Sequence, residues 1–529
     1  MVERGDFLVP YYRGQPFFDK PPLTYWLIAG AFGAFGFTLE AARLVAALAG
    51  LGALAASVWL GARLFDRETG LLGGLLLATT LAFVSFGRLA MSDMLLTLWS
   101  TLAMALGAAL LDEPRPASRS GLAVALGAAL ALGFLTKGPV ALLLPGLGLL
   151  ALLWTRPSLA RSSVRPAALA ALVLLLLALP WFVMVQRRLG WQPLAYFFLR
   201  ENLQRFAGDA YDSGRSPLYY LPVYLAEGLP WSPLLPLALL RLRRERSAQL
   251  LTAWMGLMLV PLSLSRGKID YYLLPFYPAA SLLIARWLRE AWGRAESVVV
   301  RAVLVATAAA VLLALRPLDA LPAAFLPPSG ALAVVRALGG IGAVTLLLTA
   351  WRPSPARVVA AMAALGAALS LVVTALVVPA LSRAQPNAAI VADVLRERRF
   401  RKDAQVVYCD DPTRVARDLL FEARVASVER CDLWAPAASH FPFLLLVRED
   451  QRETLGVATR FVGEYRYVPA SVSTLRRLLD EVRPETVVLL ANYSTDDPEA
   501  DVRARRDRKR RVRARELREA QAAGETRVP

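Results

Sequence analysis

Sixty of the 529 residues are Lys or Arg, but only five are lysines: Lys20, Lys137, Lys268, Lys402 and Lys509. Where drift toward Arg has removed most lysines, a surviving Lys marks a place that wants a compact ammonium rather than a planar fork. Lys20 lies in Phe18-Asp19-Lys20-Pro21-Pro22, Lys137 in Thr136-Lys137-Gly138-Pro139 and Lys268 in Arg266-Gly267-Lys268, each beside a long apolar segment. Lysines at helix ends also snorkel to the interface without any ligand. Three gathered on one face point instead to an anion, because ionisable groups at membrane depth are usually functional.

Other side chains fall on the same face. Arg88 and Asp93 bracket a helix turn, where Asp93 either faces a substrate or caps the helix that follows. The long loop 187–216 carries Glu201, Asn202 and Arg205 among aromatics and charges of both signs, a mixture that suits a polar headgroup or a sugar and equally a solvated loop. After Lys268 come Asp270, Tyr271 and Tyr272, where aromatics are expected at a membrane interface in any case. The single histidine, His440, lies far along the chain, so no His-rich metal site or His-based triad forms near these groups. There is no Walker-type phosphate loop and no GxGxxG opening a helix after a strand. Chemistry here has to rest on carboxylates, lysines and arginines facing a phosphate-bearing substrate.

The elements that must position these groups are membrane helices. The chain is 56% hydrophobic and 19% charged, and its mean hydropathy is +0.46. A soluble chain carries about 25% charged residues. Two cysteines exclude a disulfide scaffold, and the apolar content excludes disorder and collagen. The net charge of +18 does not indicate nucleic acid, because the basic residues sit in short turns and in the tail. Twelve apolar segments are long enough to span a hydrocarbon core about 30 Å thick. They run at 44–62, 71–87, 94–111, 121–136, 138–154, 167–186, 217–240, 247–264, 271–288, 298–315, 331–350 and 357–380. Segment 23–38 is short for a span and is expected to be an interfacial or re-entrant helix.

The fold class expected is therefore a mainly α polytopic membrane protein with a small C-terminal α/β extracytoplasmic domain. Residues 1–43 form a first extracytoplasmic loop, 44–382 the transmembrane domain, 383–497 the soluble domain and 498–529 a basic tail. Arg-rich turns mark the cytoplasmic side, which puts Lys20, Asp93, Lys137 and Lys268 on the other. In the soluble domain, Gln405–Tyr408 and Phe443–Val447 read as strands, and Ala389–Arg398 and Val472–Val482 as amphipathic helices. Cys409 and Cys431 lie there, as a disulfide or as buried thiols. The tail has eleven basic and six acidic side chains and almost no large apolar ones, so it has no means of building a core.

The run Glu3 to Pro10, with Gly5-Asp6-Phe7-Leu8-Val9-Pro10, and then Gly14 to Trp26 resembles the first extracytoplasmic loop of the ArnT-like and protein mannosyltransferase superfamily. Ala42-Arg43-Leu44, Arg88 to Asp93, Leu135 to Pro139, Arg205-Phe206, Pro230-Trp231 and Ser265 to Pro275 extend the resemblance in order along residues 1 to about 380. It implies a C-type glycosyltransferase fold and inverting transfer of a sugar (pentose, aminoarabinose-like or hexose) from an undecaprenyl-phosphate carrier. The acceptor would be lipid A, another glycan or a protein, outside the bacterial inner membrane. Carried over by position, Lys20, Arg266, Lys268 and Tyr272 would bind the carrier's phosphate, with Asp93 and Lys20 catalytic. Arg88, Lys137, Glu201, Asn202 and Arg205 would face sugar or acceptor. No cofactor is certain; a divalent metal ion near Asp19 is the one to test, and Asn202 stands near the place where lipid A transferases are expected to have a His ligand.

Such proteins also have an acidic motif and a helix ahead of the Gly-Asp-Phe-Leu-Val-Pro stretch, so the start at Met1 is expected to lie downstream of the true one. Two rival readings are a lipid-carrier flippase or transporter, which predicts mid-helix charges and repeated halves, and a truncated, inactive paralogue that only binds the carrier lipid.

Overall fold

In a bilayer every backbone N–H and C=O must be satisfied within the protein, so apolar runs of this length fold as helices and pack on one another. The computed structural model describes residues 1–2, 4–12, 15–155, 164–208, 213–290, 294–315, 329–372, 375, 387–400, 405–408, 428–430, 443–448, 460–467 and 485–491. Cys409, Cys431, His440, Val472–Val482 and the tail lie outside the described residues. The chain divides into two compact units, Met1–Ala320 with Pro327–Val378, and Leu321–Leu326 with Pro379–Pro529.

In the first unit, seven helices among the described residues are long and apolar enough to cross a membrane: Leu39–Leu64, Ser92–Asp112, Pro116–Lys137, Val164–Leu189, Arg246–Leu264, Leu332–Trp351 and Pro355–Val372. Helix Ser92–Asp112 is central, with 83% of its apolar window buried, whereas Val164–Leu189 has 28% buried and turns most of its leucines outward. Leu23–Phe35 has 13 residues. At 1.5 Å per residue it spans only ~20 Å, too short to cross alone.

Three of the expected spans are not straight. Residues 71–87 divide into helices Arg67–Ala78 and Leu81–Phe86, where the Thr79 and Thr80 hydroxyls donate back to the Leu75 and Leu76 carbonyls, each at 2.8 Å, a pattern that bends helices. Residues 217–240 form a pair bent by 116°. The two breaks meet: Leu81 N–H donates to Leu229 O at 3.0 Å, and Trp231 Nε1 donates to Thr79 Oγ1 at 3.0 Å. Each break thereby satisfies groups that the other leaves exposed, which is what makes broken helices tolerable at this depth. The third span opens as a 3₁₀ turn, Asp270–Phe276, before helix Tyr277–Glu290.

At the Arg-rich end, Arg286 ties two loops to its own helix. It pairs with Asp66 at 3.2 Å, with Glu245 at 3.0 Å and with Glu290 on its own helix, while Arg289 pairs with Asp66 and Glu68. The turns that carry Lys20, Asp93, Lys137, Glu201 and Tyr272 gather at the other end.

The second unit holds helix Asn387–Phe400 and a five-stranded sheet. Its order is Val428–Arg430, Gln405–Tyr408, Phe443–Arg448, Glu485–Ala491, Arg460–Tyr467; the first three strands are parallel and the last two pairings antiparallel. Phe443, Leu445, Val447, Val407 and Leu490 form its buried core.

Candidate active site

The loop bearing Asp19 and Lys20 is fixed from below by its own backbone. Asp6 accepts from the N–H groups of Leu8 (3.1 Å) and Val9 (3.2 Å) and pairs with Arg188 at 3.0 Å. Although burial acts the other way, these hydrogen bonds and Arg188 hold the Asp6 carboxyl below its ordinary range. Two indoles then pin the following carbonyls: Trp26 Nε1 donates to Phe7 O at 2.6 Å and Trp181 Nε1 to Leu8 O at 3.0 Å. Phe18 is buried against Trp181, so Lys20 is delivered to a defined place.

That place is the polar end of a cavity of about 880 Å³. Asp19, Lys20, Lys137, Glu201, Asn202, Arg205 and Tyr272 line one end. Leu142, Leu143, Gly146, Leu147, Leu150 and Leu153 of helix Val140–Thr155, with Pro261 and Leu262, line the rest. A polar head beside an apolar trough matches an amphiphile whose charged group sits at the interface and whose tail lies along the helices.

Among the described residues the Lys20 ammonium makes no hydrogen bond or ion pair. Burial, with the nearby Lys137 and Arg205 cations, pushes it down to about 8. Arg205 is engaged on both sides, with Glu201 at 2.6 Å and the Tyr272 hydroxyl at 3.4 Å. The Lys137 ammonium lies 4.5 Å from the centre of the Tyr272 ring and pairs with Asp93, both partners being buried. Asp93 makes no capping hydrogen bond to its helix, although its place in the first turn suits the helix dipole. The carboxylate faces Lys137, not the backbone.

The turn after Lys137 depends on glycine. Gly138 has φ +72°, and a Cβ there would overlap the Phe197 ring. Phe197 is the second residue of the segment Tyr196–Gln204, a π-helix, in which hydrogen bonds join residues five apart. Tyr196 and Glu201 are so related; the Tyr196 hydroxyl lies 3.3 Å from Glu201 Oε1 and 3.2 Å from Asp19 Oδ1. Burial and the Glu201 charge push the Asp19 carboxyl above its ordinary range, against that hydrogen bond.

Not every expected residue reaches the cavity. Arg266 is exposed, and the Lys268 ammonium, though buried, is spent on the Ser265 carbonyl at 2.5 Å; neither lines the cavity. Arg88 is exposed and also absent from the lining, and Asp93, buried against Lys137, is absent from it too. Asn202 lines it, but its amide donates to Phe197 O at 2.7 Å. Tyr196 escaped the sequence reading, since its link to Glu201 shows only when the π-helical spacing is known. Among the described residues no three His, Cys, Asp or Glu side chains converge as a metal site. Asp19 and Glu201 offer only two carboxylates bridged by a hydroxyl, a set that does not fit a closed metal centre.

Residues 19–183 match the family described as dolichyl-phosphate-mannose-protein mannosyltransferase. The crystal structure of ArnT from Cupriavidus metallidurans bound to undecaprenyl phosphate superposes with a TM-score of 0.71 at 22% identity, covering 93% of this chain and 92% of that one. The chain has the ArnT fold. The apo form of the same protein agrees, with a TM-score of 0.70 at 24% identity, 93% of this chain and 91% of that one. The undecaprenyl phosphate-alpha-4-amino-4-deoxy-L-arabinose arabinosyl transferase 1 of Pseudomonas fluorescens is 35% identical over 56% of this chain and 53% of its own length. The corresponding enzyme of Pseudomonas paraeruginosa is 36% identical over 57% of this chain and 55% of its own. The chain thus spans about half the length of the curated relatives it matches. The resemblance read in its motifs, to ArnT-like and protein mannosyltransferase-type proteins, is borne out, as is the polytopic helical class with a small C-terminal sheet.

Proposed function

We propose that this chain is an integral membrane glycosyltransferase of the bacterial inner membrane. In this reading it takes a sugar from an undecaprenyl-phosphate carrier and transfers it, on the extracytoplasmic side, to lipid A or another glycan or lipid. The observation that carries the proposal is the Lys20 ammonium, unpaired within the described protein, at the polar end of a cavity whose remainder is a leucine trough. An anionic head with a long apolar tail answers both features. The names of the relatives and of the fold neighbour support the same carrier.

The chemistry follows from the lining. The carrier's phosphate lies among Lys20, Arg205 and Tyr272, with its tail along helix Val140–Thr155. An acceptor hydroxyl attacks the anomeric carbon from the face opposite the phosphate, the bond from that carbon to the phosphate oxygen breaks, and the configuration inverts. Lys20 and Arg205 stabilise the charge that grows on the departing phosphate, which is where fixed donors help most. Asp93, which stands behind Lys137 and not in the lining itself, takes the acceptor proton, and Lys137 compensates the Asp93 charge until then. Arg266 and Lys268, away from the cavity, have no part in this scheme.

The test is transfer of radiolabelled 4-amino-4-deoxy-L-arabinose from undecaprenyl phosphate to lipid A by the purified chain, with NMR of the product for inversion. Labelled product that disappears in Lys20→Ala is expected. An active Lys20→Ala protein would sink the phosphate role, and carrier movement across vesicles without transfer would favour a flippase.

A further inference from the structure

Glu201, expected to face the sugar or acceptor, has its carboxylate already committed. Its side chain is 2% exposed. Oε2 accepts from Arg205 Nη2 at 2.6 Å, and Oε1 faces the Tyr196 hydroxyl at 3.3 Å. That hydroxyl also touches Asp19, next to Lys20. Arg205 continues to the Tyr272 hydroxyl at 3.4 Å. A continuous chain, Asp19, Tyr196, Glu201, Arg205, Tyr272, therefore runs along one wall of the cavity. The π-helix makes it possible: a turn of 3.6 residues would rotate Tyr196 away from Glu201.

We propose that Glu201, braced by the Tyr196 hydroxyl, is a positioning residue that aims the Arg205 guanidinium at the phosphate end of the cavity. This rests on the carrier-phosphate reading and deepens it. A long Arg side chain loses much rotamer freedom when it is fixed, and fixing it before the ligand arrives spares the binding step that loss. Glu201 acts through Arg205 without touching the sugar.

Undecaprenyl phosphate carrying no sugar separates the two roles. Titrated into the detergent-solubilised full chain, it should bind Glu201→Gln roughly tenfold more weakly than wild type, the scale of one lost charged hydrogen bond. Tyr196→Phe, which keeps the ring packing, should weaken it in the same direction by less. In an Arg205→Ala background neither change should cost anything further, because the residue they act through is gone. Unaltered affinity in both single variants overturns the proposal, as does an additive loss in the Arg205→Ala background. If Glu201→Gln does not fold, Tyr196→Phe alone and with Arg205→Ala decides by the same criteria. A wild-type chain that binds no undecaprenyl phosphate overturns the carrier reading itself, a result distinct from a bound carrier indifferent to Glu201.

Discussion

The Lys137 ammonium meets the Asp93 carboxylate across 44 residues of chain, and the two are 8% and 4% exposed. One closes helix Pro116–Lys137 and the other opens helix Ser92–Asp112, so the pair staples adjoining ends of two neighbouring helices. Removing one partner leaves a buried charge with nothing opposite it. Lys137→Ala should cost about 3–5 kcal/mol of stability, seen as a lower unfolding midpoint in detergent, and Lys137→Met with Asp93→Leu should recover most of it. Asp93→Asn keeps the shape and an amide oxygen to accept from Lys137, so it should cost less stability than Lys137→Ala while losing turnover. If Asp93→Asn unfolds while retaining specific activity in the surviving fraction, the carboxylate is structural only.

Lys20 predicts a pH dependence. Its folded value, about 8, lies below the ordinary lysine value, and the phosphate needs the charged form. Affinity should be full below about pH 8, then fall about tenfold per unit above it, until the higher value of the bound state is reached. Lys20→Arg, charged throughout, should bind with little change between pH 7 and 9. Calorimetric titration with undecaprenyl phosphate at several pH values checks both, and a wild-type profile flat to pH 10 excludes Lys20 as the anion's partner.

Gly146 lines the apolar trough, and a Cβ there would meet nothing within 4 Å. A ring at that position projects into space we assign to the carrier's tail. Gly146→Phe should raise KM for long-chain donors about tenfold, roughly the burial of a few methylenes, and affect a short-chain polyprenyl donor far less. Equal effects on both chain lengths would remove the tail from this trough.

Arg286 is remote from the cavity and joins Asp66, Glu245 and Glu290, with its side chain 16% exposed. Its acidic partners are more exposed, so each contact is discounted for solvent, and Arg286→Ala should cost about 1–2 kcal/mol in all. Thermal unfolding should show the loss, with kcat and KM at permissive temperature unchanged. A fall in kcat at full stability would mean that this end of the bundle takes part in turnover.

Much of this was open to reading in one dimension, and the reason is physical. A bilayer demands long apolar runs, so helices Leu39–Leu64, Ser92–Asp112 and Pro355–Val372 announce themselves by composition, and strands Gln405–Tyr408 and Phe443–Arg448 by short apolar runs in polar surroundings. The scarcity of lysine singled out Lys20 and Lys137 before any geometry was known. Tertiary structure decided what composition does not encode. The breaks at Thr79 and Leu229 are stable because each supplies the other's missing hydrogen bonds across 150 residues or so of sequence. Lys268, chemically the same as Lys20, turns onto its own Ser265 carbonyl and away from the cavity. Tyr196 joins Glu201 only because the helix there is a π-helix, whose wider turn brings residues five apart to one side. Residue type limits which groups can carry charge or donate a proton; where those atoms point, and which are already spent on the protein itself, is settled by contacts between segments distant in the chain.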